Sequence, residues 1–139
     1  MRVVSILTFV YLIIGCSDTL SKEDLNQLNG YWEIAKVSFS DGNTKEYKVS
    51  TSIDFIKIDS LKGYRKKVQP KFDGTFDTSN DAEFFLIKEQ NGEFILHYKN
   101  DLSEWKETIL EVSRDNFSVS NEAGITYAYK RFNPINVKK

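Results

Sequence analysis

The sequence predicts an all-β domain, an antiparallel up-and-down β-barrel of about eight strands that follows a short N-terminal helix. Runs rich in aromatic and β-branched residues recur along the chain, and turn signals separate them at the spacing of roughly 8–12 residues that is typical of sandwiches and barrels. The length of 139 residues allows one domain with a sizeable core. A barrel is favoured because sequential hairpins close it without leaving an exposed sheet edge.

The first fifteen residues are not predicted to belong to this fold. Arg2 supplies a positive charge, and residues 3–14 follow with only two polar side chains. This run is shorter than the roughly 20 apolar residues of a membrane span. It has the length and composition of the apolar region of a secretory signal peptide. It ends at Gly15, directly before Cys16, which is the only cysteine in the chain.

Ile13-Ile14-Gly15-Cys16 resembles the lipobox of bacterial lipoproteins. The resemblance implies cleavage before Cys16 and acylation of its thiol and new amino group, for example with palmitate. Such chains hold a protein on a lipid bilayer because each buried CH₂ contributes about 0.8 kcal/mol. The expected location is the bacterial cell envelope, at the outer membrane. The alternative is a chance cysteine at the end of an ordinary secretory signal.

The chain is predicted to divide into a signal peptide at 1–15, a polar tether at 16–24, the barrel at 25–132 and a tail at 133–139. One helical signal stands at the start of the barrel domain. Ser21 lies three residues before Asp24, the spacing of a capping box. Leu25 and Leu28 follow on one helical face, and Gly30 suits a left-handed C-cap. These residues predict a helix of one or two turns over 22–28.

The rest of the barrel domain is predicted to be strand and turn. The strongest hairpin signal is Asn91-Gly92, because both central residues of a type I′ turn need positive φ. It predicts pairing of 84–88 with 94–98. Residues 84–87 are apolar on both faces, so we expect that strand to be covered on both sides or to lie next to another apolar group. The candidate strands are 31–39, 45–49, 52–58, 64–69, 71–76, 83–89, 93–99, 104–112, 116–120 and 125–132.

Charge and composition exclude several classes of function. The net charge of −1 argues against a nucleic-acid partner, because phosphate binding needs a basic excess. One cysteine and one histidine, His97, exclude an internal disulfide and a four-ligand Cys/His zinc site. The sequence contains no phosphate loop, dinucleotide fingerprint or Gly-x-Ser-x-Gly motif. We therefore expect no enzyme activity, no metal and no cofactor.

The two ends of the barrel domain carry a family resemblance. Gly30-x-Trp32 opens the first strand just after the helix, and Tyr127 to Arg131 closes the last strand. This pattern resembles the lipocalins, or calycins, and more closely the small lipocalin-like lipoproteins of Bacteroidetes-type bacteria. The resemblance implies that Gly30 lets the backbone bend, that Trp32 plugs the closed end, and that Arg131 stacks on Trp32. A plain core tryptophan and a surface arginine are the alternative.

Two functions remain open. The resemblance implies a small apolar or amphipathic ligand inside the barrel. The alternative is a protein-interaction module with a filled barrel, such as an inhibitor, an immunity-type protein or an envelope accessory protein, binding through the basic run 62–67 or the acidic segment 77–83. A cavity of roughly 300 Å³ or more favours the ligand, and an exposed apolar patch favours the partner. Trp105 is expected at a cavity mouth or in the core. The candidate ligand-binding residues are Tyr98, Trp105, Tyr127 and Tyr129.

Overall fold

The computed structural model of the chain describes residues 19–50 and 52–134. The predicted signal peptide, Cys16 and most of the predicted tail lie outside these residues. A 3₁₀ helix, Glu23–Leu28, precedes ten strands. They are β1 (Gly30–Ser38), β2 (Thr44–Glu46), β3 (Ile53–Asp59), β4 (Lys62–Pro70), β5 (Phe76–Thr78), β6 (Glu83–Gln90), β7 (Glu93–Lys99), β8 (Glu104–Val112), β9 (Asn116–Asn121) and β10 (Thr126–Arg131).

Eight of these strands form a closed antiparallel ring in the order β1, β3, β4, β6, β7, β8, β9, β10, and β10 pairs back to β1. The two short strands, β2 and β5, lie outside this ring. Strand β2 pairs with the end of β1, and β5 pairs with the end of β4. The predicted eight-stranded up-and-down barrel is therefore confirmed.

The hairpin between β6 and β7 forms as the sequence predicts. Asn91 and Gly92 have φ angles of 53° and 79°, as a type I′ turn requires. The register pairs Phe85 with Tyr98 and Gln90 with Glu93. The turn sequence alone fixed this register because a two-residue loop leaves one way to align the strands.

The helix lies within a residue of its predicted limits, but its predicted C-cap is wrong. Asn29 has an extended conformation, with φ −58° and ψ 132°. Gly30 has a φ of 122° and already belongs to β1. The Asn29 side chain accepts a hydrogen bond from the backbone N–H of Ile58 at 2.7 Å. This bond connects the end of the helix to β3, so the chain enters the sheet directly after the helix.

The strand predicted at 71–76 is also wrong. Residues before Phe76 form a turn, in which the Lys71 N–H donates to the Thr75 carbonyl at 2.8 Å. The Asp73 carboxylate accepts bonds from the Thr75 N–H and hydroxyl at 2.9 and 2.6 Å. Such local bonds of aspartate compete with a sheet ladder. The strand β5 is therefore reduced to three residues.

The basic run 62–67 lies on β4, which pairs with β3 on one side and with β6 on the other. Its side chains alternate, so Arg65 is buried inside the barrel while Lys62 is exposed. Residues 84–87 show the same alternation. Phe85 and Ile87 are buried, whereas Phe84 and Leu86 are 64% and 55% exposed. Phe84 lies next to the Tyr64 ring at 6.0 Å, but the outer face of this strand is not covered by any described residue.

The hydrophobic core begins at the helix and extends along the barrel interior to Tyr98 and Tyr129. Both helical leucines are 1% exposed and close one end of the ring. The buried residues of this core are Leu25, Leu28, Trp32, Ile56, Ile58, Phe85, Ile87, Phe94, Leu96, Tyr98, Ile109, Phe117, Val119 and Tyr129.

Candidate functional site

Trp32 plugs the helical end of the barrel. Its side chain is fully buried, and its indole N–H donates to the Leu28 carbonyl at 2.8 Å. The edge of its ring meets Phe117 at 4.7 Å between centroids. The hydrogen bond satisfies both the indole and one of the carbonyl groups that a helix leaves free at its end.

Arg131 covers Trp32 from the outside. Its guanidinium carbon lies 3.8 Å from the centre of the indole ring. The guanidinium also donates to the carbonyls of Gln27, Asn29 and Arg114 at 2.6, 2.6 and 2.9 Å. The structure thus brings together the predicted pair, and it adds three backbone bonds that the sequence did not indicate. Arg131 ties the helix, the turn after β8 and the last strand to one point.

The position of the Arg131 guanidinium requires glycine at residue 30. A Cβ atom at Gly30 would stand 2.6 Å from Nη1 of Arg131, and the φ angle of 122° is one that L-residues rarely adopt. The first constraint comes from the approach of Arg131 to the Asn29 carbonyl, and the second from the backbone conformation of Gly30 itself. Glycine at this position lets the guanidinium reach its acceptors.

Replacement of Gly30 by alanine is expected to lower the free energy of unfolding by about 1–3 kcal/mol, because it adds backbone strain and displaces Arg131. Urea denaturation measures the loss. Gly42→Ala is the matched control, since Gly42 has a φ of 90° but open space around it. A loss at Gly30 no larger than the loss at Gly42 would contradict a steric role for Gly30.

A column of side chains links this end to the other end of the barrel. Phe117 touches Trp32 and stacks on Tyr129 at 4.5 Å. The Tyr129 ring in turn lies 5.0 Å from the guanidinium of Arg65. The interior therefore changes from apolar to charged along its axis, and Arg65 marks the change.

Arg65 is the centre of a buried charged cluster. Its Nη2 donates to Asp54 Oδ2 at 2.8 Å and to the Tyr129 hydroxyl. Its Nη1 lies 3.5 Å from Oε1 of Glu107. Lys67 completes the cluster with an ion pair to Asp54 Oδ1 at 2.5 Å. Two cations and two carboxylates leave the cluster without net charge.

The two carboxylates of this charged cluster have opposite pKa shifts. Burial favours the protonated form of Asp54, but the ion pairs with Arg65 and Lys67 outweigh burial and lower its pKa. Burial raises the pKa of Glu107, and its longer contact with Arg65 does not offset this effect. Burial also raises the pKa of Tyr129 to about 12, so its hydroxyl stays protonated. Asp54 is therefore the firm partner of Arg65, and Glu107 is the loosely held one.

A cavity of about 280 Å³ opens above the charged cluster, at the barrel end away from the helix. Arg65 and Glu107 lie at its floor, and Trp105, Tyr127 and Tyr129 supply aromatic walls. Lys67, Glu83 and Asn121 complete the lining. We call this cavity the mouth. It joins aromatic surface to buried polar groups, the combination that orients an amphipathic molecule.

The mouth brings together three of the four predicted ligand-binding residues. Trp105, Tyr127 and Tyr129 line it, while Tyr98 lies below Trp105, with the two rings stacked at 5.0 Å. Trp105 is half-buried at the mouth and also packs against the core, so both expected positions describe it. The Tyr98 hydroxyl is buried close to Arg65 and Glu107.

Sequence reasoning missed the charged cluster. Arg65 belongs to the basic run 62–67, which was considered only as a surface for a partner, and Glu107 lies two residues after Trp105. One signal was available at Asp54, which shares the inward phase of Ile56 and Ile58 on β3. A carboxylate at such a position needs a buried cationic partner.

The closed meander of eight strands, the helix at one end and the Arg131 guanidinium over the Trp32 indole together decide the architecture. The barrel has a lipocalin-like fold. A lipocalin-like protein from Bacteroides uniformis, known from its crystal structure, is similar to this chain with a TM-score of 0.48 and 13% identity. The similarity covers 76% of this chain and 99% of that protein. No family model and no curated protein matches the sequence.

Within 19–50 and 52–134, no helix has the length and apolarity needed to cross a bilayer. In the same residues, no three His, Cys, Asp or Glu side chains come together as a metal site. His97, the single imidazole, lies half-buried on the outer face of β7 between Leu86 and Lys106.

Proposed function

We propose that the protein is a lipid-anchored, lipocalin-like binding protein whose mouth takes a small amphipathic ligand with an uncharged polar end. The observation that carries this proposal is the buried charged cluster at the floor of an aromatic cavity. A barrel that served only as a scaffold would not need an arginine and two carboxylates in its interior, because burying charges costs several kcal/mol per ion before pairing.

The floor of the mouth specifies the polar end of the ligand. Asp54 and Tyr129 occupy one side of the Arg65 guanidinium, and the looser contact with Glu107 leaves Nη1 able to donate to a ligand. The buried Tyr98 hydroxyl lies close to Arg65 and Glu107 and adds a second polar group at this depth. Since the charged cluster is neutral as a whole, a neutral hydroxyl, amide or carbonyl group fits better than an anion.

The walls specify the rest of the ligand. Trp105 and Tyr127 present half-buried aromatic surface at the opening. Ligand pockets usually have volumes of roughly 300–1,000 Å³. The mouth, at about 280 Å³, lies just below that range. We therefore expect a small molecule, or one end of a longer molecule whose remainder extends into solvent.

Native mass spectrometry tests the ligand. The Cys16→Ser chain, secreted by its own host, is expected to carry a small-molecule adduct that is lost on denaturation. Trp105→Ala is expected to reduce the bound fraction about tenfold, which corresponds to about 1.4 kcal/mol of binding free energy. Phe84→Ser, on the outer face, is the matched control and should keep the adduct. A chain that is free of adduct from the host envelope, or an adduct that survives Trp105→Ala unchanged, would contradict binding in the mouth.

The anchor belongs to the same proposal and rests on the residues before the fold. The lipobox-like sequence places Cys16 only a few residues before the helix that begins at Glu23. An extended chain spans at most about 3.3–3.6 Å per residue. The barrel would therefore be held within a few nanometres of the bilayer.

Replacement of Cys16 by serine is expected to move the protein from the membrane fraction to the soluble fraction, because the acylated thiol is lost. Fractionation and labelling with a palmitate analogue measure this. Ser17→Ala is the control and should remain labelled. Unchanged membrane association of the Cys16 variant would exclude acylation as the anchor.

Protein interaction through the barrel surface is a second candidate function. It is favoured by the filled interior of the barrel and by its exposed apolar side chains. The interior is filled over most of its length by the column from Trp32 to Arg65, while large apolar side chains remain exposed on the outer face.

A further inference from the structure

Residues of β3, β4, β6, β7 and β8, most of them on the outer faces of these strands, line a groove of about 1140 Å³, which is larger than the mouth. Tyr64, Phe84 and Leu86 supply its apolar floor. Lysine side chains stand around this floor, from Lys57 and Lys62 on one side to Lys88, Lys99 and Lys106 on the other. We call it the outer groove. It lies outside the barrel, where strand positions normally carry polar side chains.

The apolar floor of the outer groove continues into a row of aromatic rings on the barrel surface. Neighbouring rings in this row lie 4.2–6.1 Å apart between centroids. The row runs through Phe132, Phe76, Tyr31, Phe55, Tyr64 and Phe84. Most of its members are half-buried by one another, but Phe84 is 64% exposed. Contiguous exposed apolar surface of this kind marks an interaction site.

The outer groove is positively charged, although the chain as a whole has a net charge of −1. Five lysines line it against three carboxylates, those of Asp59, Glu104 and Glu122. Among these lining residues, only Lys99 and Glu104 form an ion pair, at 3.2 Å. Burial and the charges of Lys88 and Lys106 lower the pKa of His97, so the imidazole is neutral at pH 7 and the lysines carry the positive charge.

The shape of the outer groove limits what can occupy it. The strands beneath it are paired on both sides, so an incoming strand finds no free main-chain groups here. Lysines flank the exposed Phe84 and Leu86 side chains of the floor. An occupant must therefore offer apolar side chains to the floor and negative charge to the surrounding lysines.

We propose that the outer groove docks a protein segment that combines aromatic or aliphatic side chains with flanking Asp and Glu. Its apolar side chains would cover Phe84 and Leu86. Its carboxylates would pair with Lys88, Lys106 and Lys57. Arg65, Tyr127 and Tyr129 line the mouth but not the outer groove, whereas Trp105 lines both.

Selection from a displayed library of random peptides tests the proposal. The bait is the folded Cys16→Ser chain, and a Phe84→Ser, Leu86→Ser double variant of it removes peptides that bind elsewhere. Both substitutions are on the outer face, so thermal unfolding should show an unchanged fold. Enriched peptides are expected to contain acidic and apolar residues together. Their Kd should weaken at least about tenfold on the double variant.

Two further measurements separate this binding from general stickiness. Lys88→Glu with Lys106→Glu should weaken the selected peptides at least about tenfold, whereas Tyr127→Ala in the mouth should leave their Kd unchanged. Raising the salt from about 50 to about 300 mM should weaken binding, since exposed charges are screened.

Three outcomes would overturn the proposal. The first is that no peptide prefers the parent chain to the Phe84 and Leu86 double variant. The second is that enriched peptides lack acidic residues or bind the Lys88 and Lys106 double variant equally well. The third is that vesicles of phosphatidylglycerol bind through Phe84 and Leu86 while no peptide does, which would assign the outer groove to a lipid surface.

Discussion

Replacement of Trp32 by alanine is expected to lower the free energy of unfolding by about 3–5 kcal/mol, the usual loss for a large buried aromatic side chain. The indole is fully buried, and its removal would leave Phe117 and Arg131 facing a cavity. The Leu28 carbonyl would also lose its hydrogen-bond donor. Urea denaturation followed by circular dichroism measures the loss.

Trp105→Ala is the matched control for this prediction. Trp105 is half-buried at the mouth and touches the core on one side only, so its loss should cost no more than about 1–2 kcal/mol. Trp32→Phe should fall between the two, because it keeps a ring but loses the bond to Leu28. If Trp105→Ala proves as costly as Trp32→Ala, Trp32 does not plug the barrel.

Replacement of Asp54 by alanine is expected to lower the free energy of unfolding by about 3–5 kcal/mol at pH 7, because it leaves a buried arginine without its firm partner. Asp54 is 3% exposed and pairs with both Arg65 and Lys67. Glu107 remains near Arg65, but at 3.5 Å it does not replace the shorter contact. Chemical denaturation at several pH values measures the effect.

The pH dependence of this loss follows from the sign of the pKa shift. The pKa of Asp54 in the folded chain lies below its usual value of 3.8. A carboxyl with a lowered pKa contributes stability above its unfolded pKa and loses it as the pH falls through the folded pKa. The difference between the parent chain and Asp54→Ala should therefore be constant above about pH 5 and shrink below the usual value.

Glu107→Gln provides the matched control in the same charged cluster. Burial raises the pKa of Glu107, so its ionised form does not stabilise the folded chain at neutral pH. Removing that charge should leave the stability at pH 7 unchanged or slightly higher. A loss as large as that of Asp54→Ala would contradict the unequal roles assigned to the two carboxylates.

The two ends of the barrel are expected to have different roles. The helical end, from Trp32 to Arg131, is closed by packing and by bonds to backbone carbonyls. The mouth keeps charged groups that packing alone would not require. Stability is expected to depend on both ends, whereas ligand binding should depend on the mouth only. Substitutions at Trp105 therefore separate binding from folding better than substitutions at Arg65.

Local sequence patterns determined the strands, the hairpin and the closed end. Alternation of side chains fixes which residues of a strand share a face, because the side-chain period is two. Asn91-Gly92 fixed one register through backbone conformation alone. Gly30, Trp32 and Arg131 were expected from the family resemblance, and the pairing of the first and last strands aligns Trp32 with Arg131.

Only the tertiary structure determines which residues each face of a strand contacts in the rest of the barrel. Arg65 reaches Asp54 across 11 positions of the chain and Tyr129 across 64. Their meeting depends on the register of every intervening strand pair. The same registers align the outward rings from Phe132 to Phe84 into one row. A strand pattern specifies a face but not its neighbours across the ring, so the charged cluster, the mouth and the outer groove emerge only when the barrel closes.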